Sequence, residues 1–151
     1  MTNNVFSQLF FPKKLNNIMN TNQSNLEESI RKMKFKALGC VIHAPAELEA
    51  GFQKAGFNNS FDKKEKSANT LVFLNNKKEL LQFLKTDLKN IEPDSVLWLA
   101  YPKGTSKSKS DINRDIIRET AEEFNITTVT AISINDTWSA LRFRPTDRVG
   151  K

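Results

Sequence analysis

From Lys36 onward two hydrophobic patterns alternate along the chain. Short apolar runs rich in β-branched residues are separated by stretches whose apolar positions recur every three or four residues. ALGCVIHA (Ala37 to Ala44) is too short for a stable helix and predicts a buried strand. Pro45 suits a first helical position, and Leu48, Phe52 and Ala55 follow as one stripe, which Gly51 and Gly56 weaken and end. Phe57 to Ser67 is polar, with at most a short edge strand around Phe61. NTLVFL (Asn69 to Leu74) predicts a second buried strand. Asn76 with Glu79 then forms a capping-box-like start to a helix carrying Leu80, Leu84, Leu88 and Ile91, which Pro93 and Asp94 end.

SVLWLAY (Ser95 to Tyr101) is apolar on both alternating faces, the pattern of a central strand covered by helices. Ser110 or Asp111 is the expected cap of a helix whose inner stripe is Ile112, Ile116, Ala121 and Phe124. TTVTAISI (Thr127 to Ile134) is a β-branched strand, NDT turns the chain, and WSALRFR (Trp138 to Arg144) alternates strictly. Leu141 and Phe143 face one way, and Trp138, Ala140, Arg142 and Arg144 the other. Together these elements predict an α/β, Rossmann-like three-layer sandwich around a mostly parallel sheet, closed by an antiparallel β-hairpin. Parallel strands are expected near 38–44, 70–74, 95–101 and 128–134, with an antiparallel strand near 138–144. That layout is the methyltransferase one, in which the last strand inserts between the third and fourth.

Composition sets the limits of the domain. The hydrophobic content of 38% is low for a globular chain, and the first 34 residues are polar and Asn-rich. The expected division is therefore a poorly ordered extension over 1–30 and a single α/β domain over 31–151. Within the extension, Val5 to Phe11 is too short for a signal-peptide core and has no basic residue before it; a loosely ordered tail is favoured over an interfacial anchor. No apolar run approaches the roughly eighteen residues of a membrane span. The net charge of +6 favours a small anionic partner by long-range attraction. Lys and Arg are scattered among acidic residues rather than blocked together, so specific nucleic-acid binding is not expected.

Cys40 is the only cysteine, so no internal disulfide can form, which fits a reducing compartment and a cytoplasmic location. His43 is the only histidine, and zinc needs three or four such ligands, so no metal site is expected. Cys40 and His43 lie three apart in an expected strand and point to opposite faces, which argues against a nucleophile–base dyad. A methyltransferase needs a Gly-rich turn after its first strand, where this chain has His-Ala-Pro-Ala-Glu, and only Asp62 offers an acid after the second strand. G-x-G-x-x-G and the Walker loop are also absent. No cofactor is expected.

Two strings carry a family resemblance. YPKGTSKSKSDINRD, followed by INDTWSALRFR, resembles the Y-P-K…D-I-x-R-D stretch and the D-x-W-S-A-L-R-F-R ending of the bacterial domain-of-unknown-function 3052 family. The resemblance spans roughly Arg31 to Pro145. It departs at His43-Ala44-Pro45, where relatives carry Asn-Ala-Pro, and at Ile116-Ile117, where they often carry Gly-Trp. It implies a Rossmann-like fold and a small soluble bacterial protein, and it implies no reaction.

In open α/β sheets ligands gather outside the carboxyl ends of the strands. Those ends supply His43, Asn75, the loop from Tyr101 to Ser110, and Asn135-Asp136. The loop offers Lys103 and Lys107 as charges, Thr105, Ser106 and Ser110 as hydroxyl donors, and Gly104 for close backbone approach. The candidate ligand-binding set is His43, Asn75, Lys103, Gly104, Thr105, Ser106, Lys107, Ser110 and Asp136. Asp111, Arg114, Trp138 and Arg142 form a structural pair or line the cleft, while the catalytic residues are unassigned. Three functions follow, and whether the chain is an enzyme stays open. A non-catalytic Rossmann-like domain binding a small anionic ligand or a partner at the cleft comes first, for want of a nucleophile, metal set or cofactor loop. A divergent enzyme on a phosphorylated or nucleotide-like substrate, with Lys103 and Asp136 as polar actors, and a protein-interaction module are the alternatives.

Overall fold

Strands form where the apolar runs lie. In the computed structural model, which describes residues 25–104 and 110–150, these are β1 (Cys40–Ile42), β2 (Ser67–Phe73), β3 (Ile91–Pro102), β4 (Ile126–Ser133) and β5 (Trp138–Pro145). The helices are α1 over 25–32, α2 (Ala46–Lys54), α3 (Lys77–Gln82) and α4 (Arg114–Glu122). Gly39 sits so close to β2 that a Cβ would collide with the Asn69 carbonyl. Only glycine lets β1 begin there.

The sheet order is β1-β2-β3-β5-β4, so the last strand does lie between β3 and β4. The expected fold class nevertheless fails. β1/β2 and β2/β3 are parallel, but β3/β5 and β5/β4 are antiparallel, and the antiparallel ladders hold more of the paired residues. The sheet is mixed and mostly antiparallel, not that of a mostly parallel Rossmann-like sandwich. The cause is the short turn after β4. Asn135 Oδ1 accepts from the backbone N–H groups of Thr137 (2.9 Å) and Trp138 (2.8 Å), so β5 folds straight back along β4. Its insertion replaces one parallel contact with two antiparallel ladders. Apolar positions on both faces report that a strand is covered; they carry no information on its neighbours' direction.

Alternation along the strands divides the core in two. Leu97 and Leu99 of β3 and Leu141 and Phe143 of β5 pack with Leu80 of α3 and with Ile117 and Ala121 of α4. Val96, Trp98 and Ala100 of β3 and Trp138 and Ala140 of β5 pack on the other face with Leu26 of α1 and Phe52 of α2. Residues 25–30, grouped by the sequence with the extension, are helical here. Leu26 and Ser29 are buried, the Ser29 hydroxyl donates to the Ile134 carbonyl (3.1 Å), and Trp98 Nε1–H donates to the carbonyl of Met33 just beyond α1 (2.9 Å). The rest of the extension lies outside the described residues.

Two more expectations change. The helix through Ile91 is interrupted: α3 gives way to a π turn (Phe83–Asp87) and a 3-10 turn (Leu88–Asn90), and Ile91 already pairs with Ser67. The Thr86 hydroxyl donates back to the Gln82 carbonyl, a contact that loosens helical turns. Pro93 and Asp94 then fall inside β3, in a bulge where four residues face one of β2 and no ladder bond needs the missing proline N–H. The edge pairing foreseen at Phe61 occurs at Asn58, which exchanges backbone bonds with Gly39 and Val41.

Candidate functional site

The turns after β2, β3 and β4 meet at one end of the sheet because these strands share a direction. The Ser110 hydroxyl donates to the Asn75 carbonyl, and the Lys77 N–H donates to Asp111 Oδ1 (2.7 Å), which joins the loop after β3 to the start of α3. On the other side, the Lys103 N–H donates to the Thr137 carbonyl (2.8 Å) and Lys103 Nζ to Ser133 Oγ (2.7 Å). The loop root is therefore held from both sides by side-chain and backbone bonds. Gly104 is exposed, and a Cβ there would meet nothing within 4 Å, so its smallness serves no packing need. Thr105, Ser106 and Lys107 lie outside the described residues.

His43 leaves β1 with φ 58, a left-handed conformation uncommon outside glycine, and its side chain is exposed. Beside it opens a cleft of about 370 Å³ with Val72, Leu74 and Phe83 as its floor and His43, Asn75, Glu79, Gln82 and Asp87 as its rim. Glu79 is committed to local structure. Its Oε1 accepts from Asn75 N (3.0 Å) and Nδ2 (3.2 Å), its N–H donates to Asn76 Oδ1 (2.9 Å), and its Oε2 faces Asn76 Nδ2 at 3.5 Å. This is the expected capping-box-like start, with the reciprocal backbone bond to Glu79 coming from Asn75 instead of Asn76. Gln82 and Asp87 were not foreseen, because the π turn that carries Asp87 to the rim leaves no mark in the hydrophobic spacing. Asn75 borders both regions, lining the cleft and receiving Ser110.

The other singled-out residues separate. Asp136 is exposed, and among the described residues its carboxylate has no hydrogen-bond or ion-pair partner. The turn is held by its neighbour Asn135. Asp111 neither caps α4 nor pairs with Arg114: Asn113 Oδ1 takes the cap bond from the Ile116 N–H (2.9 Å), and the ion pair on α4 joins Arg118 to Asp115 (3.5 Å). Arg114 and Asp115 lie near Tyr101, whose phenol is pushed up by burial against the opposing hydrogen bond with Ser139. Trp138 belongs to the core, its ring 5.1 Å from that of Phe73 in an edge-on contact. Arg142 lies midway along β5, opposite Trp98 and Thr130, away from the strand ends.

Cys40 is buried with its Sγ 3.3 Å from Ser67 Oγ, apart from exposed His43. Among the described residues no three His, Cys, Asp or Glu side chains cluster as metal ligands, and no helix is long and apolar enough to cross a membrane. Compared with models of known protein families and with curated proteins, the chain matches none.

Proposed function

We propose that this protein is a non-catalytic α/β domain that binds a small anionic ligand at the carboxyl end of β1 to β3, next to the turn that leaves β4. The observation that carries the reading is the fixed loop root: Lys103 bonded to Ser133 and Thr137, and Ser110 bonded to Asn75. Bonds already made in the free protein hold the loop root in place, and the Lys103 ammonium keeps two N–H donors beyond its bond to Ser133, which lowers the ordering cost of capturing a ligand. Lys103 has no carboxylate partner among the described residues, so its charge is available to one. In the neighbouring cleft the carboxylates of Glu79 and Asp87 disfavour an anionic group and leave His43 and Gln82 to an uncharged polar part of the ligand. The similarity of two sequence motifs to the 3052 family is part of this proposal and adds no reaction to it.

Calorimetric titration with phosphate, pyrophosphate and small carboxylates tests the reading. Binding is expected to weaken about tenfold in Lys103→Gln, the loss of one charge-assisted contact of roughly 1.5–3 kcal/mol. Unchanged affinity in that variant removes the loop root from the site. A complete absence of anion binding redirects attention to the protein-interaction alternative.

A further inference from the structure

At the other end of the sheet the charge pattern differs. A groove of about 640 Å³ opens over β4 and β5, lined by Lys36, Asp94, Thr130, Arg142 and Arg144. Arg144 is satisfied: its Nε and Nη2 donate to Asp94 Oδ1 (2.9 Å) and Oδ2 (3.1 Å), a two-point pair that uses both carboxylate oxygens. Asp94 is held in place for this by the β3 bulge, where it adopts φ 53. Arg142, two residues away on the same face of β5, has nothing equivalent. Its Nε is buried with no hydrogen-bond partner, and no carboxylate lies within ion-pair distance of its guanidinium among the described residues. A partly covered guanidinium with an unmet N–H is unfavourable, because burial removes water without supplying an acceptor. Lys36 adds to the same groove a second cation that has no carboxylate partner among the described residues.

We propose that this groove is a second anion site, separate from the strand-end site, in which Arg142 and Lys36 hold a compact phosphate-type oxyanion. A guanidinium presents parallel N–H donors that match two oxygens of a tetrahedral anion, and the ammonium of Lys36 supplies a point charge beside it. Thr130 pairs with Arg142 across the ladder, so its hydroxyl is on the same face as a further donor. The register shift between Thr128 and Thr130 breaks the regular surface of β4 where the groove opens. Two cations in one groove, unpaired among the described residues, match the charge of a single phosphate group, which favours it over a nucleic-acid backbone.

Phosphate titration followed through the Arg142 Nε–Hε resonance tests this directly on the full chain. The expected result is a saturable shift of that resonance. Phosphate affinity at this site should fall at least tenfold in Arg142→Gln, partly recover in Arg142→Lys, fall severalfold in Lys36→Gln, and stay the same in Lys103→Gln. Should Arg142→Gln not fold, the wild-type resonance and Lys36→Gln still decide the matter. A glycerol phosphate arm identifies the source: tighter binding than phosphate points to a phosphate ester, equal binding to free phosphate. A silent Arg142 resonance, or unchanged affinity in both Lys36→Gln and a folded Arg142→Gln, overturns the proposal. So does an oligonucleotide that binds this groove while phosphate and glycerol phosphate do not.

Discussion

Replacing Leu141 with alanine tests the placement of β5 inside the sheet. Leu141 is fully buried, faces Leu99 of β3 and Ala131 of β4 across the two ladders, and packs in the same layer as Ile117 and Phe143. Truncation removes three carbons from water-free surroundings, about 0.8 kcal/mol for each CH₂-sized group, or roughly 2.4 kcal/mol in transfer alone. The remaining void adds about 24 cal/mol per Å³ that the neighbours fail to fill. Because strands flank β5 on both sides, its backbone has little freedom to move into that space, and the total should lie in the upper part of about 2–5 kcal/mol. For a domain whose whole stability is about 5–15 kcal/mol, that is a large fraction. Urea unfolding followed by tryptophan fluorescence should show a lower midpoint with an unchanged slope. Val129→Ala, at an exposed position on β4, is the control and should stay within about 1 kcal/mol. A loss below about 1 kcal/mol for Leu141→Ala would refute the reasoning, since only an outer strand free to collapse would tolerate the change so well.

The remaining predictions separate structural from functional residues. Asn135→Ala should cost about 1 kcal/mol by leaving two turn N–H groups without their acceptor, whereas Asp136→Asn should stay within about 0.5 kcal/mol. In denaturant melts the Asp136→Asn, Arg142→Gln double variant should show no coupling, and a coupling of 1 kcal/mol or more would place the two side chains together. The Asp94 carboxyl is held below its ordinary value by its hydrogen bonds from Arg144, with the charges of Arg144, Arg148 and Arg142 adding to the effect. Its contribution to stability is therefore present above the unfolded carboxylate pKa and is lost as pH falls through the lower folded value. Asp94→Asn should accordingly be less stable than wild type at neutral pH, with the gap closing in acid; a gap that does not depend on pH contradicts the ion pair. Adenosyl-methionine should not bind at micromolar concentration in calorimetry, because no glycine follows β1 before Gly51. Binding there would show that the His43 turn can replace a glycine-rich one.

Legibility followed the physical signal each residue carries. The apolar runs announced every strand, and the alternation of Leu141 and Phe143 against Trp138 and Ala140 sorted β5 onto its two faces as the core does. The strand directions came out as expected, with β5 reversed between β3 and β4; the mostly parallel sheet failed because Leu97 and Trp98, buried on opposite faces, do not show which ladders surround β3. The stripe from Leu80 to Ile91 misled for a related reason. Leu80 and Leu84 are buried as a helix requires, but Ile91 takes its place in the core as the first residue of β3. At the candidate site, Asn75, Lys103 and Ser110 were singled out as strand-end residues; the structure bonds Ser110 to Asn75 and Lys103 to Ser133 and Thr137. The choice between Asn135 and Asp136 at the β-turn, and between Asp111 and Asn113 at the start of α4, depended on backbone geometry that neighbouring polar residues do not encode. Arg142 gave no sign of its isolation, since the pairing of Arg144 with Asp94 joins residues fifty positions apart.

Amide chemical shifts during a pyrophosphate titration address the central claim most directly, because they report position as well as affinity. Anion binding at the carboxyl end of the sheet predicts saturable shifts at Asn75, Lys103, Gly104 and Ser110, all with one dissociation constant, and their loss in Lys103→Gln. Stationary resonances at these four residues, with pyrophosphate bound elsewhere or not at all, would contradict it.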